Sequence, residues 1–293
     1  MRLFKELEKA VEKSLRESGS FESATPLMID WVNSQTSTIE LIKAVGTIPE
    51  SIPHDSSEEK LFSKVSDAVL ARAFKDLGLK STVLKERGDA ADVHAESIYH
   101  GYSLVADAKA FRLSRTAKNQ KDFKVVALSN WRNDADYAVL CSPYFHYPST
   151  RSQIYSQSLQ HNVCLLSWEH LIQLIESGVK ESDSNSLADV WNWPEKQAQT
   201  TSVQEAKRCF IPAFDDWLAD RFSFSRSQFK EAFSQRIEEL KERGVAETEF
   251  WLCQRKAMLQ LSREEAISEL IRTKKNDEKI TQIANFVEGL HYE

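Results

Sequence analysis

Three short apolar runs restrict the fold of this chain more than any other feature. After Gly101 the sequence reads Tyr102-Ser103-Leu104-Val105-Ala106-Asp107-Ala108-Lys109, and later Tyr137 to Cys141 and Val163 to Leu166 form two further runs. Between them lie residues 110–136 and 142–162, stretches of 27 and 21 residues that read mostly as helix or loop. Asp92-Val93-His94-Ala95 opens a further candidate strand. Strands alternating with such segments predict an α/β fold: a central mixed β-sheet flanked by helices.

Helical regions are expected at both ends. Residues 1–50 alternate acids and lysines around Leu, Ile and Val, and Pro49 and Pro53 close the segment. Ser56-Ser57-Glu58-Glu59 has the form of a capping box, with Ser56 at the cap and Glu59 three residues on. The helix that follows places Leu61, Phe62, Val65, Val69 and Ala73 on one face, and Gly78 and Gly88 break the pattern. From about residue 168 the chain turns helical again. Ser262-Arg263-Glu264-Glu265 is a second capping box, opening a helix with Ala266, Leu270 and Ile271. Trp191, Trp193, Trp217 and Trp251 fall in helical apolar surroundings and are expected in the core. Glu181 to Ser186, a short polar patch, reads as a surface loop. We expect a single domain over 1–293, with a helical N-terminal region (1–50), a central core (56–170) and a mainly helical C-terminal region (171–293).

Several function classes are excluded at this level. No apolar run approaches the roughly 20 residues of a membrane span, so no membrane role is expected. The N-terminus, Met1-Arg2-Leu3-Phe4-Lys5-Glu6-Leu7-Glu8, does not read as a signal peptide. Cys141, Cys164, Cys209 and Cys253 lie far apart with no CxxC pair, suggesting neither zinc site nor disulfide framework. A reducing, cytoplasmic compartment is the simplest expectation. There is no GxGxxG, Walker loop, HExxH or GxSxG motif, and the histidines are scattered. The net charge of −6 is unevenly spread: Lys109 to Lys124 holds six basic residues and one acid, a local +5, leaving −11 for the rest. One basic strip on an acidic body suits a polyanionic partner.

The chemistry beside that strip follows from strand geometry. Residues i and i+2 of a strand share a face, so Asp107 and Lys109 project together with Ser103 and Val105, while Leu104, Ala106, Ala108 and Ala110 form an apolar face. Asp92, fifteen residues before Asp107, falls on the neighbouring strand if the two form a hairpin. An Asp followed at a distance by Asp/Glu-x-Lys is the sequence form of a metal-dependent phosphodiesterase site. The carboxylates hold Mg²⁺, which acts as a Lewis acid and lowers the pKa of its bound water. The lysine orients or helps deprotonate that water, or stabilises the charge at phosphorus. The pattern Asp/Glu-x-Lys occurs six times, beginning at Glu58, Asp107, Asp122, Glu205, Glu239 and Asp277. Four copies lie in stretches that read as helix. Only Asp107 ends an apolar strand with an upstream Asp at suitable distance. Asp122-Phe123-Lys124 is its rival, because Val125-Val126-Ala127-Leu128 follows. The alternative for Asp107 and Lys109 is a surface ion pair worth about 0–1 kcal/mol.

Arg112, Arg115, Lys118, Lys121 and Lys124 recur at every third position with Ser114, Thr116, Asn119 and Gln120 interleaved. Basic groups suit phosphates and guanine, and Asn and Gln suit adenine edges. We take Arg112, Arg115, Lys118, Asn119, Gln120, Lys121 and Lys124 as candidate DNA-binding residues; a solvated helix face is the alternative. Glu59 is either the capping partner of Ser56 or a further metal ligand, and Glu86 either a surface residue or a neighbour of the site.

At this point the chain resembles the HindIII type II restriction endonucleases, members of the PD-(D/E)xK superfamily. The resemblance is carried by Leu104 to Lys109 with Phe111 to Val125, and by Glu59 to Lys64, Asp136 to Leu140, Ser167 to Leu171 and Ser262 to Ile267, in the same order over most of the chain. It is strongest from about 56 to 170. It implies a restriction-endonuclease-like fold and a Mg²⁺-dependent homodimer that cuts duplex DNA at the palindrome AAGCTT, after the first A, in company with a cognate DNA methyltransferase in a bacterial cytoplasm. Asp92, Asp107 and Lys109 match the family's catalytic positions, with Asp92 and Asp107 as metal ligands. Asp122 matches a further family acid, and Arg115 to Lys124 would read bases. Ala91 stands where the superfamily often has Pro. A palindromic target matches a twofold dimer, and the helical ends, 1–45 and 225–290, are the candidate contacts. Two other readings are a nuclease of the same superfold acting in repair or junction cleavage, and a DNA-binding regulator without catalysis.

Overall fold

The computed structural model describes residues 2–84, 90–115, 120–148, 152–200 and 202–288. Three helices open the chain: α1 (Arg2–Ser18), α2 (Phe21–Ser34) and α3 (Thr38–Val45). They are followed by α4 (Ser57–Asp76) and by strands β1 (Lys80–Val83), β2 (Val93–Glu96) and β3 (Ser103–Ala108). Next come α5 (Gln120–Phe123), α6 (Val125–Trp131), β4 (Tyr137–Ser142), α7 (Gln153–His161), β5 (Val163–Ser167) and α8 (Trp168–Glu176). The rest is helical: α9 (Ala188–Trp191), α10 (Trp193–Thr200), α11 (Val203–Phe222), α12 (Arg226–Met258), α13 (Arg263–Thr273) and α14 (Asn276–Glu288). Serine hydroxyls accept from the first-turn amides of α2, α3, α4, α7, α8, α11 and α13. A side-chain oxygen satisfying an otherwise orphaned N–H fixes where each helix begins.

The sheet has the order β1-β2-β3-β4-β5. β1, β2 and β3 pair antiparallel, and β3, β4 and β5 pair parallel. It is the mixed sheet with flanking helices and helical ends expected from the spacing of the apolar runs. Every residue of β5, and every residue but the first of β3 and β4, is buried. Both faces of the parallel part are therefore covered, as parallel strands require. This modifies the one-sided β3 expected above: Val105 and Asp107 are buried along with Leu104 and Ala106. The edge strand β1 was not foreseen, because four residues reading Lys-Ser-Thr-Val carry little apolar signal. Val125 to Leu128, strand-like in sequence, lies instead in α6, where Val125 and Leu128 are buried at helical spacing.

The chain divides into two units, Met1–Gly244 and Val245–Glu293. In the first, the sheet, α4 and the N-terminal helices share a core that includes Leu7, Met28, Leu41, Phe62, Phe74 and Trp168. α12 adds two buried arginines. Arg236 donates to Glu169 (3.3 Å), and Arg243 donates to the Thr47 carbonyl (2.6 Å) with its guanidinium 3.4 Å from the Phe4 ring centre. Thr47 in turn bridges to Phe111, so α12 buttresses the segment that follows β3. In the second unit, the predicted capping box forms in full: Ser262 accepts from Glu265 N–H and Glu265 accepts from Ser262 N–H. None of the described side chains of 245–285 is buried.

Two expectations change. Trp191 and Trp193 are in the core, but Trp251 is 50% exposed, because the second unit buries none of its described side chains. Ser182 to Ser186 make the expected loop, with Asp183 and Ser184 exposed, but Glu181 at its start is buried. It is 3% exposed, and its carboxylate accepts from Ser97 Oγ (2.6 Å), Tyr102 Oη (2.7 Å) and Leu187 N–H (2.6 Å). Gly78 makes room for it: its φ is +86°, and a Cβ there would lie 2.7 Å from the Glu181 carbonyl oxygen. Glu181→Ala would leave these donors unsatisfied at about 1–3 kcal/mol each. A thermal unfolding midpoint lowered by at least about 5 °C is expected, and an unchanged midpoint would contradict the buried role.

Candidate active site

The pairing of β2 with β3 builds the site. Val93 faces Ala106, so Asp92, one residue before β2, stands opposite Asp107 across the antiparallel pair. The Asp92 amide donates to the Ala106 carbonyl (3.2 Å), and Leu84 N–H donates to the Asp92 carbonyl (2.8 Å). Lys109 follows the last residue of β3. Its amide donates to Cys141 O (2.7 Å), and Trp168 Nε1 donates to its carbonyl (3.2 Å). Its ammonium donates to the Asp107 carboxylate. The side chains of Asp107 and Lys109 are only 5% and 16% exposed, which excludes the surface ion-pair alternative.

α4 passes beside these strands and brings two groups that sequence reasoning missed. Asp67, 5% exposed, offers a carboxylate oxygen that lies with one each of Asp92 and Asp107 within 4.8 Å of one another. Lys64, one turn earlier, donates to Asp92 Oδ1 (2.8 Å) and lies 3.4 Å from Asp67 Oδ2. The signal for Asp67 was present: Val65-Ser66-Asp67-Ala68-Val69-Leu70-Ala71 is a buried run with a single acid in it. Burial, together with the charge of Asp92, pushes the Asp67 carboxyl well above the usual carboxylate range. Burial also raises Asp107, against the lowering effect of Lys109. For Lys64, burial works to lower the ammonium, but Asp67 and Asp92 outweigh it and leave it raised. The arrangement is a place where negative charge is confined and a cation is favoured.

Three carboxylates from two strands and a helix form a hard oxygen donor set, with no His or Cys among them. That set fits Mg²⁺ and not a site built for zinc. A cleft of about 1110 Å³ opens over it, lined among others by Lys60, Lys64, Asp92, Asp107, Lys109 and Lys124.

The other predicted site residues are placed as follows. Glu59 is not in the carboxylate group. It half-forms its capping box: Ser56 Oγ accepts from Glu59 N–H (3.1 Å), while Glu59 Oε2 accepts from Asp55 N–H (2.7 Å) and not from Ser56. Its other oxygen accepts from Arg112 (2.7 Å), and with exposed His54 and Asp55 it makes a second, separate group of metal-ligand types. Asp122 also lies outside the three-carboxylate group, paired with Arg115. Arg112 turns inward, donating to Pro49 O (2.8 Å) as well as to Glu59, and its side chain is 12% exposed. Buried Glu50 holds the next turn by accepting from Ser114 N–H and Oγ, both at 2.9 Å. Gln120 and Lys121 are exposed on α5. Lys124 caps α6 in the left-handed region (φ 50°), with its ammonium 5.7 Å from the Trp131 ring centre at the cleft. Glu86, Lys118 and Asn119 lie outside the described residues.

Comparison with known proteins identifies the family. Residues 15–287 match the model of the HindIII restriction endonuclease family. The chain is 44% identical over 272 residues to the type II restriction enzyme HindIII of Haemophilus influenzae, covering 92% of this chain and 91% of that protein. No described helix is long and apolar enough to cross a membrane. With the family model spanning most of the chain and the relative matched almost end to end, the chain belongs to the HindIII restriction endonuclease family and is a type II restriction enzyme, a site-specific deoxyribonuclease.

Proposed function

We propose that this enzyme cleaves duplex DNA at AAGCTT, after the first A on each strand, by Mg²⁺-dependent hydrolysis at Asp92, Asp107 and Lys109, with Asp67 as a third carboxylate. The observation that carries the reading is the meeting of Asp67, Asp92 and Asp107 within 4.8 Å beside Lys109, at the floor of a lysine-lined cleft. The divalent ion supplies charge neutralisation at the phosphate and a water of lowered pKa. Asp92 and Asp107, fixed by the β2–β3 ladder, would hold it. Lys109, its backbone held by Cys141 and Trp168, presents its ammonium to the attacking water and to the charge that builds on the scissile phosphate. Digestion of a sequenced plasmid followed by sequencing of the ends tests the target. Ends confined to AAGCTT with 5′-AGCT overhangs are expected. Ends at another fixed sequence would refute the target alone, and structure-dependent nicking would refute the restriction reading.

Within the basic strip the side chains divide by their partners. Arg112 serves the fold and Lys124 serves DNA. Lys124→Ala should weaken duplex binding and lower the slope of log K against log salt by about one. Arg112→Ala should lower the unfolding midpoint while leaving that slope unchanged. Binding titrations at several salt concentrations check both.

A palindromic target read twice calls for two subunits, each cutting one strand. Val245, Leu259, Leu270, Ile280 and Ile283 are each more than half exposed, which favours a second copy as the cover for the C-terminal helices. Sedimentation of a dimer by the full chain, and of a monomer after Leu259→Glu with Leu270→Glu, is the expected outcome. A cognate methyltransferase acting on the same sequence would protect the host DNA.

A further inference from the structure

Lys64 is the described cation that touches two of the three carboxylates: its ammonium is 2.8 Å from Asp92 Oδ1 and 3.4 Å from Asp67 Oδ2, and its side chain is 17% exposed. Lys109 meets the third, Asp107. Three carboxylate oxygens within 4.8 Å repel one another, and the two ammonium groups offset part of that repulsion. Lys64 therefore competes with a divalent ion for the Asp92 charge and for one of its lone pairs, while the lysine stem is long and can swing. Lys64 also lines the cleft, as does Lys60 one turn before it on α4. A lysine leaving Asp92 has the cleft, where the phosphate backbone would run, as its nearest outlet.

We infer that Lys64 is a displaceable internal counter-ion: it occupies Asp92 in the metal-free enzyme, gives up that oxygen when the divalent ion binds, and turns to the DNA backbone. This rests on the metal role proposed for Asp92 and Asp107. Lys64 is thus a positioning residue that ties metal entry to phosphate contact. It opposes metal binding in the absence of DNA and supports DNA binding in the presence of metal. A lysine that merely completes the fold would not show these two effects of opposite sign.

Mn²⁺ binding to the full chain without DNA, followed by the electron paramagnetic resonance of the free ion, tests the inference. Lys64→Met keeps the stem and removes the charge, and Lys64→Gln also keeps a donor toward Asp92. Both are expected to bind Mn²⁺ about tenfold more tightly than wild type, with Lys64→Arg at the wild-type value. With Ca²⁺ and a duplex carrying a non-hydrolysable linkage, Lys64→Met should bind DNA several-fold more weakly, with the salt slope lowered by about one. Mn²⁺ affinity equal to or below wild type in folded Lys64→Met or Lys64→Gln would overturn the inference. Asp107→Asn serves as the control. If it loses Mn²⁺ binding while the Lys64 variants match wild type, only the role of Lys64 falls. If it too binds like wild type, the metal site itself is misassigned.

Discussion

Asp107→Asn is expected to lower the single-turnover cleavage rate by at least about 10³-fold while leaving the protein folded and able to bind its duplex. The factor corresponds to about 4 kcal/mol of transition-state stabilisation, within the several kcal/mol that a bound divalent ion supplies at a phosphoryl oxygen. Asparagine has the size of aspartate but offers one neutral oxygen, a poor ligand for a hard cation. Burial already raises the Asp107 carboxyl, so the folded protein bears a cost for its charge. A neutral amide there should leave the unfolding midpoint the same or slightly higher. A rate within about tenfold of wild type would remove Asp107 from the metal shell.

Lys109→Ala is expected to reduce cleavage by about 10²–10³-fold, the usual effect of deleting one preorganised donor to developing charge. Here the loss should lie in the rate of chemistry. The Lys109 ammonium, like that of Lys64, lies on a carboxylate of the group, so Mn²⁺ affinity should not fall, and duplex affinity should stay within a few-fold of wild type. Lys109→Arg should restore little, because a planar guanidinium does not place its donors where a compact ammonium does. Full activity in Lys109→Ala would count directly against the assignment. Loss of metal binding with loss of rate would turn Lys109 into a structural partner of Asp107.

How far the site can be read from sequence depends on whether its parts are neighbours along the chain. Asp107 and Lys109 are two residues apart on one strand, and period-two geometry alone puts them together. Asp92 follows from the hairpin, since fifteen residues suffice to turn and return. Asp67 and Lys64 come from a helix 25 or more residues upstream of Asp92, and no local rule says which face of α4 meets β2 and β3. The same limit explains Glu181, whose polar surroundings in sequence suggest a loop although Ser97, Tyr102 and Leu187 close around it. It explains Arg112 as well: its regular spacing with Arg115 and Lys124 conceals that Glu59 and Pro49 draw it inward. The mixed sheet was legible because the stretches between the three apolar runs are long enough for the crossovers that parallel pairing needs, although the strand order was not. β1 was not, being too short and too polar to stand out.

The claim on which the account turns is that a divalent ion sits among Asp67, Asp92 and Asp107. Anomalous diffraction from Mn²⁺-soaked crystals, collected at the manganese edge, tests it most directly. The account predicts an anomalous peak within coordination distance of at least two of these three carboxylates, beside Lys109 and with Lys64 withdrawn from Asp92. A peak instead at the exposed His54, Asp55 and Glu59 group, with none between β2, β3 and α4, would contradict it.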